Sequence, residues 1–319
     1  MSSIQERPQE LGLRRSPRRW SASNVIVASV LFTGACVLTY PTAGDWVSGI
    51  AHSSDVSGYV DEVSSAPAPE LESLLESAHS YNEALPQGPL RDPYILNESG
   101  EAVNLEDGWD TYLDQLSIAP MLPMARIMIP AIDVDLPVFH GTDEKVLDKG
   151  IGHLFGSGLP VGGGGTHAVL TGHSGLPNAT LFTHLGELDE GDLFYIFVAG
   201  EELAYRIDQI EVVLPDDGED LRAVAGHDYV TLLTCTPTGV NTHRLLVRGE
   251  RVPLDAGDAT AEQVLAAPGA AAGFPWWTLW LAGAAAAAVS IAWPRRTGAA
   301  SVVPEDESGT DAATALTAQ

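Results

Sequence analysis

The sequence predicts a mainly β chain, a closed β-barrel with short helices, flanked by two membrane-spanning helices. Short apolar runs broken by Gly, Pro and Asp follow one another from residue 125 onward, which is typical of many short strands. Few helical patterns separate these runs, so a closed β-barrel is favoured over a parallel α/β sheet. Two long uncharged apolar segments near the ends of the chain predict the flanking helices.

Charge and composition exclude some functions. The chain has 319 residues with 16 Lys plus Arg against 43 Asp plus Glu, a formal net charge of −27. Phosphate binding requires a concentrated basic surface, so nucleic acid is not expected as a partner. A hydrophobic content of 45% exceeds what a disordered chain would carry, and part of it is explained by the two apolar segments.

The two apolar segments predict a topology. Residues 24–40 and 274–293 lack charged side chains, and about 20 apolar residues span a bilayer as a helix. Arginines precede the first segment and follow the second, which predicts cytoplasmic termini and an outer central domain. The first segment also permits a cleaved signal peptide, because Pro41–Gly44 resembles a cleavage region.

Residues preceding the barrel predict one amphipathic helix and a connecting segment. Residues 44–68 are rich in Ser, Ala and Pro and are interpreted as a stalk. Residues 69–85 have leucines at helical spacing, which predicts a helix with one apolar face. Seven strands are predicted in the region that follows, at 125–129, 134–139, 167–171, 193–199, 204–214, 229–234 and 244–251. Short helical turns are predicted at 144–149 and 180–185.

Three residues at the ends of strand-like runs could carry chemistry. Cys235 ends the run YVTLLTC before Pro237, which predicts a thiol near solvent, although most cysteines without a disulfide are small buried side chains. His173 similarly ends the run THAVLTGH, and an imidazole beside a thiol can stabilise the thiolate and later supply a proton. Arg244 begins the next run, so a hairpin would bring its guanidinium back beside the thiol to stabilise an oxyanion.

A metal site is the alternative for the histidines. His153, His167, His173 and His184 lie close in sequence, but zinc sites usually have ligand pairs two to five residues apart. His167 and His173 are further apart than that, at the two ends of a predicted strand. We expect neither a metal nor a cofactor.

The sequence resembles the class C, pilin-polymerising sortases of Gram-positive bacteria. The resemblance extends from about Tyr81 to Arg251, and its specific parts are LPVGGGGTHAVLTGHSGLPNATLFTHL and TLLTCTPTGVNTHRLLVRGER. It implies an eight-stranded barrel with His173, Cys235 and Arg244 around a groove for an LPxTG-like sorting signal. A papain-like protease is disfavoured, because its Cys precedes its His in the chain whereas His173 precedes Cys235 here.

The segment Asp92-Pro93-Tyr94 resembles the lid of class C sortases. Carried over, Asp92 would pair with Arg244 and Tyr94 would lie over Cys235 when no substrate is bound; an ordinary proline turn is the alternative.

The chain departs from the family pattern at Ser174, where Arg is more usual, and at Thr238, where an aromatic residue is common. Both departures are expected to alter substrate fit.

The resemblance implies a membrane-anchored cysteine transpeptidase that passes a cleaved sorting signal to a Lys amine of a pilin subunit. Two alternatives are transfer to a peptidoglycan amine, as in housekeeping sortases, and a catalytically silent surface scaffold. The predicted organisation is a cytoplasmic tail (1–23), a transmembrane helix or signal anchor (24–43), a stalk with amphipathic helix and lid (44–120), a catalytic barrel (121–255), a linker (256–273), a transmembrane helix (274–294) and an acidic cytoplasmic tail (295–319).

Overall fold

Eight strands close into one barrel in the computed structural model, which describes residues 20–85, 108–215, 217–254 and 273–294. The order around the barrel is β1-β2-β3-β4-β7-β8-β6-β5, with β5 returning to β1. The strands are β1 (Ala125–Ile129), β2 (Val134–His140), β3 (Ile151–His153), β4 (Thr166–Thr171), β5 (Leu193–Val198), β6 (Glu201–Val213), β7 (Asp228–Thr236) and β8 (His243–Val252). The predicted closed barrel is therefore confirmed.

Two of the strand pairs are parallel and the others are antiparallel. β2 pairs in parallel with β3, and β4 pairs in parallel with β7. Parallel neighbours end at the same edge of a sheet, so residues that follow β4 and residues at the end of β7 come together. All seven predicted strands are present; β3 is the additional one.

Within the described ranges, three short or medium helices pack around the barrel. They are α2 (Ala68–Ala84), α3 (Trp109–Leu113) and α4 (Glu144–Leu147). Leu75 and Ala78 of α2 are buried in the main apolar core, which confirms the predicted amphipathic helix. Asn82 fixes the end of α2, because its side chain donates to Leu159 O at 3.1 Å and accepts from Leu159 N at 2.7 Å.

The N-terminal apolar helix, α1 (Ala22–Ser65), is longer than the sequence pattern indicated. Residues 44–65, interpreted above as a stalk, continue this helix. The reason is tertiary burial: His52, Val56 and Tyr59 recur on one helix face and are 8%, 1% and 2% exposed. Tyr59 also accepts a hydrogen bond from Ala199 N at 2.9 Å and donates to Met124 O at 3.3 Å.

Two of the described helices are strongly apolar, one near each end of the chain. Among the described residues, α1 alone has the length and hydropathy to cross a bilayer. The second apolar helix, α5 (Trp276–Ala292), has 17 residues and is shorter than that criterion requires. The chain divides into two compact units: Leu38–Leu279, which contains the barrel, and Met1–Val37 with Trp280–Gln319, whose described part is apolar helix.

Candidate active site

Cys235 lies one residue before the end of β7. Seven consecutive buried residues follow the half-buried Asp228 up to Cys235, and the strand ends at Thr236, just before Pro237. The predicted strand-end position is correct, and the residue that was expected near solvent is buried there, since Cys235 is only 7% exposed. The strand has a neighbour on each side at this point, β8 on one and the residues following β4 on the other.

Arg244 is the direct cross-strand partner of Cys235. The register of the β7–β8 hairpin pairs Cys235 with Arg244 and Thr236 with His243. Residues directly opposite in an antiparallel pair have Cβ atoms about 4.5–5.5 Å apart. Arg244 is 8% exposed, and its Nη1 donates to Asn241 O at 3.3 Å and to His243 O at 3.2 Å. The hairpin thus brings the guanidinium-bearing strand to the thiol, as the sequence spacing predicts.

His173 reaches the same place from β4. Thr171 pairs with Leu233 in the parallel β4–β7 register, and Gly172 N donates to Leu233 O at 3.1 Å. Thr234 Oγ1 donates to Gly172 O at 2.7 Å. Continuing this register by two positions sets His173 beside Cys235. The three sequence-predicted residues are therefore gathered at one edge of the barrel.

The electrostatic surroundings of His173 have two opposing influences. Burial lowers the pKa of His173, and the carboxylates of Asp148 and Glu144 raise it. The side chain is only partly buried, so water and a substrate can reach it. A neutral imidazole that can still be protonated suits proton transfer to and from a reacting group.

Ser174 and Thr238, the two departures from the family pattern, contact each other. Their hydroxyl oxygens are 3.0 Å apart and hydrogen-bonded. Next to them, Gly175 has a φ of +75°, and a Cβ there would overlap Thr238 Cγ2. The loop after His173 and the loop after Cys235 are thus in direct contact. The sequence marked both residues but could not indicate that they touch.

The remaining sequence-predicted residues are placed as follows. Asp92, Pro93 and Tyr94 lie outside the described residues, so the lid stays a prediction. His167 is hydrogen-bonded by both ring nitrogens, to Arg222 O at 3.0 Å and to Thr231 Oγ1 at 2.7 Å. Within the described part of the chain, no group of three or more His, Cys, Asp or Glu side chains is arranged to hold a metal ion.

Comparisons with known proteins agree with this architecture. Residues 127–252 match the family model described as Sortase domain. The chain is 31% identical over 157 residues to Sortase D of Bacillus subtilis (strain 168), covering 48% of this chain and 76% of that protein.

Two solved structures are similar to this chain over nearly their own full length. Sortase C-1 from Actinomyces oris is 47% identical with a TM-score of 0.55, over 58% of this chain and 99% of that one. A Streptococcus pneumoniae sortase C, described with its pilin substrate specificity, is 39% identical with a TM-score of 0.54, over 62% of this chain and 96% of that one. The chain therefore belongs to the sortase family of cysteine transpeptidases.

Proposed function

We propose that this chain is a membrane-anchored, pilin-polymerising sortase in which Cys235 is the nucleophile, His173 the proton-transfer residue and Arg244 the oxyanion stabiliser. The observation that carries the proposal is the strand register. Cys235 and Arg244 are cross-strand partners in β7 and β8, and β4 ends in parallel with β7 so that His173 follows beside them. Nucleophile, proton carrier and fixed cation thus occupy one edge of a rigid barrel.

The first half-reaction forms an acyl-thioester. Cys235 Sγ, as thiolate, attacks the Thr carbonyl carbon of an LPxTG-like signal, forming a C–S bond and an oxyanion. Arg244 donates hydrogen bonds to that oxyanion or to neighbouring peptide carbonyls. The tetrahedral centre then collapses, the Thr–Gly C–N bond breaks, and His173 gives its proton to the departing Gly amine.

The second half-reaction releases Cys235 from the thioester. A Lys amine of a pilin subunit attacks the thioester carbonyl, and the now neutral His173 accepts a proton from the amine. Collapse breaks the C–S bond, leaving Cys235 as thiolate and an isopeptide bond between the two proteins. Arg244 stabilises the second oxyanion as it did the first.

Pilin as acceptor is supported by the neighbours rather than by the site itself. The Streptococcus pneumoniae neighbour is described with its pilin substrate specificity, and the Actinomyces oris neighbour is a sortase C-1. Under this proposal Asp92 and Tyr94 form a removable lid over Arg244 and Cys235.

Membrane anchoring is supported by the apolar helices. α1 meets the length and hydropathy of a membrane span, and α5 is a shorter apolar helix. Together with the flanking arginines, this supports two spans, an extracellular catalytic domain and cytoplasmic termini.

The test is intact-mass analysis of the full chain in detergent, mixed with an LPxTG peptide. We expect an acyl adduct of the Cys36→Ser protein, which keeps only Cys235, and none with Cys235→Ala. The Asp92→Ala/Tyr94→Ala variant should accumulate more adduct. No adduct with any of these proteins would reject the transpeptidase function with this signal and favour a silent scaffold.

The acceptor is tested in the second step. Offering the acyl-enzyme a pilin domain with its Lys amines, against a peptidoglycan-like oligoglycine amine, separates the two transfer reactions. Faster product formation with the pilin domain supports the proposal. Faster formation with the oligoglycine amine would instead favour a housekeeping role.

A further inference from the structure

The segment of α1 that follows its apolar part contacts the loop that follows His173. Ser48 Oγ donates a hydrogen bond to Asn178 O at 2.8 Å. Thr180 Oγ1 donates to Asp45 Oδ1 at 2.7 Å. Two hydrogen bonds thus join residues 45–48 of the helix to residues 178–180 of the loop, although 130 or more positions separate the partners in sequence.

Gly44 makes this contact close. A Cβ atom at residue 44 would lie 2.8 Å from Asn178 Cβ and 2.9 Å from Asn178 Cα. Those distances are shorter than packed carbon atoms allow, and one of the obstructing atoms is backbone, so any larger residue must displace the loop. Glycine within a helix costs about 1 kcal/mol relative to alanine, and here it permits a close approach between helix and loop.

His52, two turns further along α1, contacts the other side of the site. Its side chain is buried, at 8% exposure, and hydrogen-bonds the backbone of Lys149. Lys149 directly follows Asp148, and Asp148 and Glu144 are the carboxylates that raise the pKa of His173. Residues 44–52 of α1 therefore contact both the loop after His173 and the acidic turn that acts on its imidazole.

Hydrogen bonds close the base of the loop that begins at His173. A restraint on residues 178–180 is therefore transmitted to His173. Phe182 N donates to His173 O at 3.1 Å, and Gly175 N donates to Thr183 Oγ1 at 2.9 Å. Leu176 and Ala179 form an isolated antiparallel bridge within the loop. A loop fixed by its own hydrogen bonds moves as a unit, and its first residue is the proposed proton carrier.

We propose that residues 44–52 of α1 are a positioning element for the active site: Gly44, Asp45 and Ser48 hold the loop that begins at His173. The inference rests on the proposed catalytic role of His173. It gives α1 a role in catalysis in addition to the proposed anchoring. Displacing a reacting group by about 1 Å can cost about a hundredfold in rate, so a loop restraint of this kind affects turnover.

The variants are chosen to distinguish loss of the helix–loop contact from a general disturbance of α1. Asp45→Ala/Ser48→Ala removes both hydrogen bonds, and Gly44→Ala forces the helix and loop apart. Asp45→Asn is the conservative variant, because the Asn side-chain oxygen still accepts from Thr180 Oγ1. The matched controls are Ser57→Ala, at an exposed position of α1, and Gly58→Ala, where a Cβ would meet only Leu122 Cδ2 at 3.8 Å.

All variants are measured as full chains in detergent, in the Cys36→Ser background. We expect amide exchange of peptides within 173–183 to accelerate in the double variant and in Gly44→Ala. We expect kcat with the LPxTG peptide to fall about tenfold with KM within about twofold. Asp45→Asn and both controls should stay within about twofold of the parent protein in kcat.

A substrate-independent readout keeps this inference separate from the proposed function. The pH dependence of Cys235 alkylation reports the pairing of the thiol with His173 even if the peptide is not the natural signal. We expect the double variant and Gly44→Ala to change that pH profile, and the controls to preserve it. If the parent protein fails to turn over the peptide, the proposed function fails, while the alkylation profile still tests the positioning role.

Two results would overturn the inference. Unchanged exchange in 173–183 would mean that α1 does not restrain the loop. Faster exchange with unchanged kcat and an unchanged alkylation profile would mean that the contact is structural only.

Discussion

Two histidines near strand ends, His153 and His173, differ in burial and in hydrogen bonding. Both have a pKa lowered by burial. His153 ends β3 and is wholly buried, and its ring nitrogens hydrogen-bond Tyr112 OH at 2.9 Å and Gly158 O at 2.7 Å. His173 follows β4, is partly exposed and adjoins the edge where Cys235 and Arg244 pair.

The difference shows what separates a structural histidine from one available for chemistry. The neutral tautomer of His153 is satisfied, since Nε2–H donates to Gly158 O and Nδ1 accepts from Tyr112 OH. Tyr112 OH also accepts from Gly141 N at 3.0 Å, so the ring belongs to a closed buried network. His173 is instead partly exposed, and the charges of two carboxylates act on its pKa, which leaves its protonation state adjustable.

The largest expected effect is on catalysis at His173. His173→Gln should lower kcat/KM about a thousandfold, because a general acid–base residue contributes roughly 10²–10⁴-fold. The free energy of unfolding should change by less than about 1 kcal/mol, as for most partly exposed positions. Steady-state kinetics measure kcat/KM, and urea unfolding measures the free energy of unfolding. Full activity with lost stability would reverse the assignment of the two histidines.

The opposite pattern is expected at His153. His153→Ala should lower the free energy of unfolding by about 3 kcal/mol, through a cavity and unpaired partners at Tyr112 and Gly158. Activity per folded molecule should be unchanged, since His153 is wholly buried and both ring nitrogens are hydrogen-bonded, to Tyr112 OH and Gly158 O. His184→Ala, at an exposed site, is the control and should unfold like the parent protein. Loss of kcat in a folded His153→Ala protein would contradict this interpretation.

Stability should depend on pH through His153. Burial lowers its pKa from 6.5 to about 4, so the folded protein binds fewer protons than the unfolded chain between those values. The free energy of unfolding is therefore highest above about pH 6.5 and decreases as the pH falls toward 4, by up to about 3 kcal/mol. Burial also lowers the pKa of His140, which acts in the same direction. Urea unfolding of the parent and His153→Gln proteins from pH 7 to 5 should give a steeper decline for the parent.

A smaller loss of stability is expected when the Tyr112 hydroxyl is removed from the buried network around His153. Tyr112→Phe leaves Gly141 N and His153 Nδ1 without that partner and should cost about 1–3 kcal/mol in unfolding free energy. Tyr81→Phe is the matched control, because the two rings pack together but the Tyr81 side chain is less buried. Equal losses in the two variants would mean that ring packing, rather than the hydroxyl, accounts for the effect.

The smallest expected effect is electrostatic tuning of His173. Asp148→Asn removes a carboxylate that raises the pKa of His173, so that pKa should fall. NMR titration of the imidazole measures the change directly, and Asp189→Asn serves as a charge-matched control. An unaltered titration in Asp148→Asn would show that solvent screens the pair completely.

The strands could be predicted from the sequence because most of them are long enough to have a pattern. β1, β2 and β7 have runs of apolar residues bounded by turn residues, whereas Ile151–His153 is a three-residue strand recognised only through its pairing with β2 and β4. The local sequence does not indicate the helical continuation of α1 to Ser65, because Ser and Gly recur through residues 44–65. The buried face of His52, Val56 and Tyr59 outweighs the low helix propensity.

The candidate site was partly predictable for the same kind of reason. His173, Cys235 and Arg244 each adjoin a strand end, and the family resemblance linked them; their convergence depends on the β4–β7 and β7–β8 registers. The Ser174–Thr238 hydrogen bond and the helix contacts of Asp45 and Ser48 join residues distant in sequence. No local pattern encodes such contacts, so only the folded chain reveals them.

The β7–β8 hairpin also has a consequence for protein engineering. Cys235 and Arg244 are paired in the ladder, so their separation is set by strand geometry and not by the length of the connection between them. Residues 237–242 do not set that backbone pairing, but Asn241 O accepts a hydrogen bond from Arg244 Nη1, so an exchanged connection must supply an equivalent carbonyl. Transplanting a connection of another length between relatives would therefore test how far the hairpin ladder alone keeps Cys235 opposite Arg244.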